Sequence, residues 1–386
     1  MTEEQQDLIR LVRDFVKREV LPNVEKDEEK GEFQRHLIRK MGELGLYGLG
    51  FPEKYGGGEA GFLAQCLVIE EVTRASIPLG MSFNVQAMVV PACIYYWGNE
   101  EQKMAYLPSL FKGELVGCFS LTEPNAGSDA GAISTRAKRV NGGYLLNGTK
   151  SWATYGVDAD FAVIMAKTQP DLKHKGISAF IVDFRKVTNV TRRPIPASTG
   201  TRCVHSAEIF LEDTFVPEES LLGREGEGFA VALSSLDYGR LTVASRCLGA
   251  ARAALDASVR YANQREAFGQ QIGRYQMIQH LIADVVSGYE AAKLLVYRAA
   301  FLADTGAPFT REAAIAKYFA ADVAKKAAEA AVEIHGAYGV ADEYPIHRLL
   351  EFSTLMRTVE GAPNIQRLII AQDALGYKMA NRYPRK

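Results

Sequence analysis

A double change of periodicity limits what this chain can become. Up to about residue 110, apolar residues recur at helical spacing; Leu8, Leu11, Val12, Phe15 and Val16 share one face, and Pro22 closes that helix. From Leu115 the pattern is that of short strands, at 115–121, 133–140, 144–147, 161–167, 177–183 and 207–211. Polar and glycine turns separate them, Asn141-Gly142-Gly143 being a hairpin signal, and no helix intervenes. After Gly223-Arg-Glu-Gly-Glu-Gly228 the pattern is helical again, and Ala313 to Ala331 holds ten alanines in nineteen positions. Alanine costs least in a helix and lets neighbouring helices approach closely. Helices, then strands, then helices predict an α+β chain of separate layers. The expected domains are an N-terminal helical domain over 1–114, a middle antiparallel β-domain over 115–223, and a C-terminal helical bundle over 224–386.

With 386 residues, 47% of them hydrophobic, the chain can bury a large core in two or three domains. Its net charge of -1 argues against a nucleic-acid partner. No window approaches ~18 uninterrupted apolar residues, so no membrane span is expected. The start, Met1-Thr-Glu-Glu-Gln-Gln-Asp7, is acidic and resembles neither a secretory signal nor a transit peptide, which predicts a cytoplasmic protein. Five scattered cysteines without Cys-x-x-Cys, and six histidines without ligand spacing, predict reduced thiols and no metal site.

Within the first domain, Gly61 to Arg74 reads as a helix. The apolar run Pro78 to Trp97 reads as another, interrupted at Pro91. That run suits a buried core helix or the wall of an apolar ligand tunnel. The glycines of Phe51-Pro-Glu-Lys-Tyr-Gly-Gly-Gly58 look like a phosphate cradle, but no Lys-Ser/Thr follows, so a structural turn is expected.

Several stretches carry polar groups suited to chemistry. In Thr358-Val-Glu-Gly-Ala-Pro-Asn-Ile-Gln-Arg-Leu-Ile-Ile370, Glu360 precedes a flexible Gly361 and a proline that suits a helix's first turn. Ile365, Leu368, Ile369 and Leu375 continue that helix on one face. Its entrance favours an anion, so Glu360 reads as a dipole-complementing surface residue or as a catalytic carboxylate. Leu121-Thr-Glu-Pro-Asn-Ala-Gly-Ser-Asp129 is a strand end running into a turn with hydroxyls and free amides. Asn147-Gly-Thr-Lys-Ser-Trp-Ala-Thr154 sets Trp152 on a strand. Asp237 and Arg240 are spaced to pair on one helix face.

Taken together these stretches resemble the acyl-CoA dehydrogenase family over nearly the whole chain. Glu360-Gly-x-x-x-Ile-Gln-Arg-Leu-Ile is similar to its catalytic segment, and Thr122-Glu-Pro-x-Ala-Gly-Ser-Asp129 to one of its most specific signatures. Asn147-Gly-x-Lys-x-Trp152, Arg265-x-x-Phe268-Gly and Ile334-His-Gly336-Ala-Tyr-Gly339 also match. The resemblance implies FAD as cofactor, with Leu121, Thr122, Trp152 and Thr154 at the flavin ring and Ser128 beside its phosphates and the substrate. Arg265, Phe268 and Gln276 are implied to reach the FAD of a neighbouring subunit, so a homo-oligomer, a tetramer by family expectation, is implied as well. Gly336, Gly339, Ala362 and Asn364 complete the implied cofactor contacts. Ala362 stands where the family has a threonine and lacks its hydroxyl, and Ala153 replaces an isoleucine. Asp237, Arg240 and Gly361 are implied at the acyl-CoA, and Glu360 as the base for its α-proton.

The implied activity is α,β-dehydrogenation of an acyl-CoA thioester, with electrons passed to an electron-transferring flavoprotein or similar carrier. An oxidase of the same site, an enoyl-CoA reductase running in reverse, and a non-catalytic acyl-CoA- or nucleic-acid-binding relative are the alternatives; the retained Glu360 and the absence of a basic excess disfavour the last. Glutaryl-CoA-type relatives carry an arginine where this chain has Met81. An uncharged short, medium, branched or cyclic acyl group is therefore expected over a dicarboxylic one.

Overall fold

The computed structural model describes residues 1–196 and 200–377; the last nine positions of the expected 224–386 domain lie outside it. Seven α-helices come first: α1 (Glu3–Phe15), α2 (Val24–Lys30), α3 (Arg35–Glu43), α4 (Gly61–Ala75), α5 (Ile77–Phe83), α6 (Val89–Trp97) and α7 (Glu100–Phe111). Helices α1 and α7 each begin in a capping box, Thr2 with Gln5 and Asn99 with Gln102, which satisfies amides that a helix start leaves open. The three-glycine loop is a structural turn. A Cβ on Gly57 would stand 2.0 Å from the Phe51 carbonyl oxygen.

The interruption of the 77–97 run falls upstream of the position expected. Residues Asn84–Met88 form a π-turn, while Pro91 sits inside α6. Proline has no N–H to give the carbonyl four residues back, and its ring crowds that carbonyl, so the backbone before Pro91 rewinds. The run Ile77–Trp97 is apolar enough to cross a membrane, but its residues up to Ile94 are buried inside the protein.

The strands are β1 (Gly117–Ser120), β2 (Arg136–Val140), β3 (Gly143–Ala153), β4 (Phe161–Lys167), β5 (Ile177–Asp183), β6 (Val190–Pro194), β7 (Ala207–Pro217) and β8 (Leu221–Leu222). Among the described residues they form one sheet in the order β6-β7-β3-β2-β4-β5-β8, with β1 added beside β4. Antiparallel pairing dominates, as expected, but β1 runs parallel to β4, so the sheet is mixed. A parallel neighbour needs a long connection, and here the motif turn, β2 and β3 lie between the two.

The last layer contains α8 (Gly228–Gln264), a hairpin of β9 (Glu266–Ala267) and β10 (Gln270–Gln271), and the helices α9 (Gln276–Asp304), α10 (Thr310–His335), α11 (Ile346–Met356) and α12 (Pro363–Ala374). Pro363 is in the first turn of α12, as its chemistry predicts. The expected apolar face of α12 is mostly outside: Ile369 and Gln366 are buried, whereas Leu368 and Leu375 are exposed. The layers share one hydrophobic core. The buried Gln86 amide joins two of them, donating to the Leu110 and Leu115 carbonyls and accepting from Gly117 N–H at 3.0 Å. At the next junction, α8 starts so near β5 that a Cβ on Gly228 would meet Ser178 at 2.3 Å.

Candidate active site

Glu360 lies between α11 and α12 with φ of +53°. A residue with a side chain pays on the order of 1–3 kcal/mol for such backbone, and persists there only where its surroundings insist. Here they do. Gln366 donates its amide to the Glu360 and Gly361 carbonyls at 3.0 and 2.9 Å. Lys317, buried in α10, donates to the Arg357 and Gly361 carbonyls at 2.8 Å each. Burial pushes the Lys317 ammonium down to about 8, against the pull of Cys247 and Glu360.

The carboxylate so presented points across to the N-terminal domain. Its Oε1 accepts from Asn84 Nδ2 at 2.9 Å, and Oε2 lies 2.8 Å from where a Cβ on Gly239 would stand. Asn84, the first residue of the π-turn, is thus the group that holds the acid, and not the α12 amides that the sequence reading favours. Such turns recur at functional sites because they re-aim side chains within a helix. Asn84, Lys317 and Gln366 are the residues that sequence reasoning passes over. The signal available was Asn84 itself, a polar residue in an apolar run.

The two motif segments of the β-domain form one clamp. Lys150, fully buried on β3, donates to the Leu121 carbonyl at 3.2 Å and to Glu123 Oε1 at 2.7 Å. Ser151 N–H donates to the Thr122 carbonyl at 2.9 Å. Glu123 also accepts from Ser134 N–H and Oγ and from Thr135 N–H. Burial alone would raise the Glu123 carboxyl, but the Lys150 charge and these donors bring it down to about 2. Burial brings Lys150 down to about 8 in spite of Glu123, so both groups are charged at neutral pH.

Directly after this clamp the β3–β7 register slips, and Trp152 takes φ of +57° with 64% of its surface exposed. The bulge turns a flat aromatic face outward beside Thr122, while Leu121 is buried, Thr154 is half-buried and Ser128 is exposed. An uncovered aromatic plane on strained backbone, next to a fixed strand end, suits a planar ring system.

The structure brings Asn84, Gly239 and Glu360 together, and it joins Leu121 and Thr122 to Lys150 and Ser151. Asp237 and Arg240 form the expected pair, at 2.5 Å and buried, and Thr310 also donates to Asp237. Arg265, Phe268 and Gln276 stand apart. Phe268 is 96% exposed at the tip of the β9–β10 hairpin, where it and Gly269 both take positive φ. From Gly239 to the end of α8 is about 37 Å along a continuous helix, so the hairpin cannot serve the Glu360 site of its own chain.

Gly336 takes φ of +58° and ψ of -134°, a combination open to glycine alone, with open space where a Cβ would be. Gly339 is buried because α10 passes close by; a Cβ there would meet Val332 at 2.9 Å. Ala362 is the N-cap of α12 and caps nothing with its side chain, and Asn364 accepts from Arg367. All five cysteines are buried and unpaired.

The N-terminal helical layer and the C-terminal bundle thus meet at one carboxylate on strained backbone, and the sheet adds an exposed aromatic platform. Family models for the acyl-CoA dehydrogenase N-terminal, middle and C-terminal domains match residues 2–114, 118–214 and 226–375. The chain belongs to the acyl-CoA dehydrogenase family, whose members are FAD-dependent oxidoreductases. It is 43% identical to an acyl-CoA dehydrogenase of Bacillus subtilis, over 97% of this chain and 99% of that one. Butyryl-CoA dehydrogenase from Megasphaera elsdenii superposes with a TM-score of 0.94 at 36% identity, covering 97% and 99% of the two chains. A glutaryl-CoA dehydrogenase from Mycobacterium smegmatis, solved in complex with FADH2, gives 0.92 at 28% identity over 98% and 96%.

Proposed function

We propose that this chain oxidises an acyl-CoA to the α,β-enoyl-CoA, with Glu360 taking the α-proton. The observation that carries this reading is the Asn84–Glu360–Gly239 arrangement. The amide of Asn84 occupies Oε1, which leaves Oε2 turned toward the side-chain-free surface of Gly239. Because nothing projects from position 239, the carboxylate has room to stand there, where a thioester Cα would have to meet it. A thioester α-proton is weakly acidic, so its base must be close and correctly aimed; Lys317 and Gln366 fix that aim through the carbonyls around Glu360.

FAD, when bound, accepts the hydride from the β-carbon and so completes the two-electron oxidation. The residues present fit that cofactor. Leu121, Thr122, Trp152 and Thr154 would face its ring, and Ser128 would lie toward its phosphates and the substrate. Asp237, Arg240 and Gly361 would position the thioester and its CoA portion. Electrons then leave through an electron-transferring flavoprotein or similar carrier, and the enzyme works in the cytoplasm. The purified protein is expected to be yellow, and its flavin band to bleach when acyl-CoA is added without oxygen. A colourless protein that gains no flavin band on incubation with FAD would overturn this reading.

The reading includes a homo-oligomer, most simply a tetramer. It is supported by the exposed Phe268, far from its own Glu360, and by Met277, Leu294 and Phe301 exposed along α9. Arg265, Phe268, Gln276 and the Gly336–Gly339 loop would then meet a neighbour's FAD. Arg265→Ala is accordingly expected to weaken FAD retention, measured as flavin released on gel filtration. A chain monomeric by light scattering yet fully flavinylated would contradict the shared site.

A further inference from the structure

Arg246 on α8 is 1% exposed, and it makes no direct ion pair among the described residues. Its Nη1 meets the sulfur of Met81, its Nε has no hydrogen-bond partner, and no carboxylate among the described residues pairs with it. The three other buried Lys and Arg residues among the described ones have strong acceptors: Lys150 has Glu123, Arg240 has Asp237, and Lys317 has two carbonyls. A buried guanidinium without a direct ion-pair partner is costly, and a use for it would offset that cost.

Its place shows that use. The segment from α5 through the π-turn crosses α8 in the opposite direction and makes two rungs with it. On one rung Asn84 holds Glu360 against Gly239; three residues earlier, Met81 meets Arg246, seven residues beyond Gly239. Seven residues are two helical turns, so Arg246 and Gly239 share a face of α8, about 10 Å apart along the axis. Long side chains lean toward the helix N-terminus, which here is toward Gly239. Burial lowers the Arg246 guanidinium below its ordinary range, and Glu360 is the first charge acting the other way. An acyl chain whose α-carbon lay at Glu360 and which ran along this face of α8 would end at the guanidinium.

We propose that Arg246 is the specificity-determining residue of this site and that the preferred acyl thioester ends in a carboxylate. The spacing suits an acyl group of about four to six carbons. This rests on the dehydrogenase reading for the placement of the thioester. The uncharged acyl group expected from Met81 considers one helix only. The cation missing at position 81 arrives from the facing helix and touches that residue's thioether.

The test compares glutaryl-CoA with pentanoyl-CoA, equal in carbon number and differing in the terminal charge. Efficiency is read as anaerobic flavin bleaching, and binding of glutaryl-CoA is read by calorimetry on Glu360→Gln protein. The wild type is expected to favour glutaryl-CoA by about 10- to 100-fold, the range of a hydrogen bond to a charged group. Arg246→Met should lose that preference while pentanoyl-CoA changes little, and Arg246→Lys should recover part of it. If Arg246→Met does not hold flavin, the wild-type preference and Arg246→Lys decide. Pentanoyl-CoA used as well as or better than glutaryl-CoA by the wild type sinks the proposal and leaves the dehydrogenase reading intact. Bleaching by neither thioester, with glutaryl-CoA binding still dependent on Arg246, does the reverse.

Discussion

Replacing Glu360 by glutamine is expected to slow flavin reduction by a good acyl-CoA about 10²- to 10⁴-fold, the usual cost of losing a general base. Binding of the thioester should survive. A glutamine can turn its carbonyl oxygen to Asn84 Nδ2 and keep the 2.9 Å contact. Its amide nitrogen then faces Gly239 where a basic oxygen stood. The measurement is anaerobic stopped-flow bleaching, and a variant within a few-fold of the wild-type rate would mean that the base lies elsewhere. Position 239 offers a second handle. A side chain there begins 2.8 Å from Glu360 Oε2, so Gly239→Glu should damage the wild type. In Glu360→Gly, where φ of +53° suits the new residue, the same change places a carboxylate against the vacated spot. It should restore part of the rate there.

The second large effect is expected at Glu123, which touches no acyl group in this account. Glu123→Ala leaves the Lys150 ammonium without its counter-charge and strips the acceptor from Ser134 and Thr135. Breaking a buried pair by removing one partner typically costs about 3–5 kcal/mol. The loss falls on Leu121 and Thr122, whose carbonyls the same strand holds, so flavin retention should drop together with stability. The sign of the pH dependence follows from the carboxyl. It is brought to about 2 in the folded protein, below its ordinary value of 4.5, so the unfolded chain binds the proton first. The contribution is complete above about pH 4.5 and is lost as pH falls toward 2. It amounts to about 3 kcal/mol by linkage. Melting curves across that window should steepen for the wild type and flatten for Glu123→Gln. Parallel curves would show that the clamp does not control acid stability.

What was legible in the sequence was whatever repeats or sits at fixed spacing. β4 and β5 appear at their predicted residues because their consecutive apolar residues, 161–166 and 179–182, have no other home than the core. β6, Val-Thr-Arg-Arg-Pro, was not legible. It is an edge strand whose charged, exposed residues show no alternation, which is how edges avoid pairing with other chains. Glu360 was legible because its motif is local. Asn84 and Arg246 were not, since their meaning lies in contacts 276 and 165 residues away. The parallel β1 was hidden for the same reason: its partner is chosen by the fold and not by the segment.

The length of α8 has a consequence for inheritance. One rod of 37 residues carries Gly239, which faces the chain's own Glu360, and ends at the hairpin offered to a neighbour. Under the shared-site reading, a chain damaged at Glu360 still lends a sound hairpin, and one damaged at Arg265 still owns a sound base. Two such alleles expressed together can assemble working sites that neither builds alone. Loss of function in this protein would then be a property of pairs of alleles, and damage at the two ends of α8 would fall into separate complementation groups.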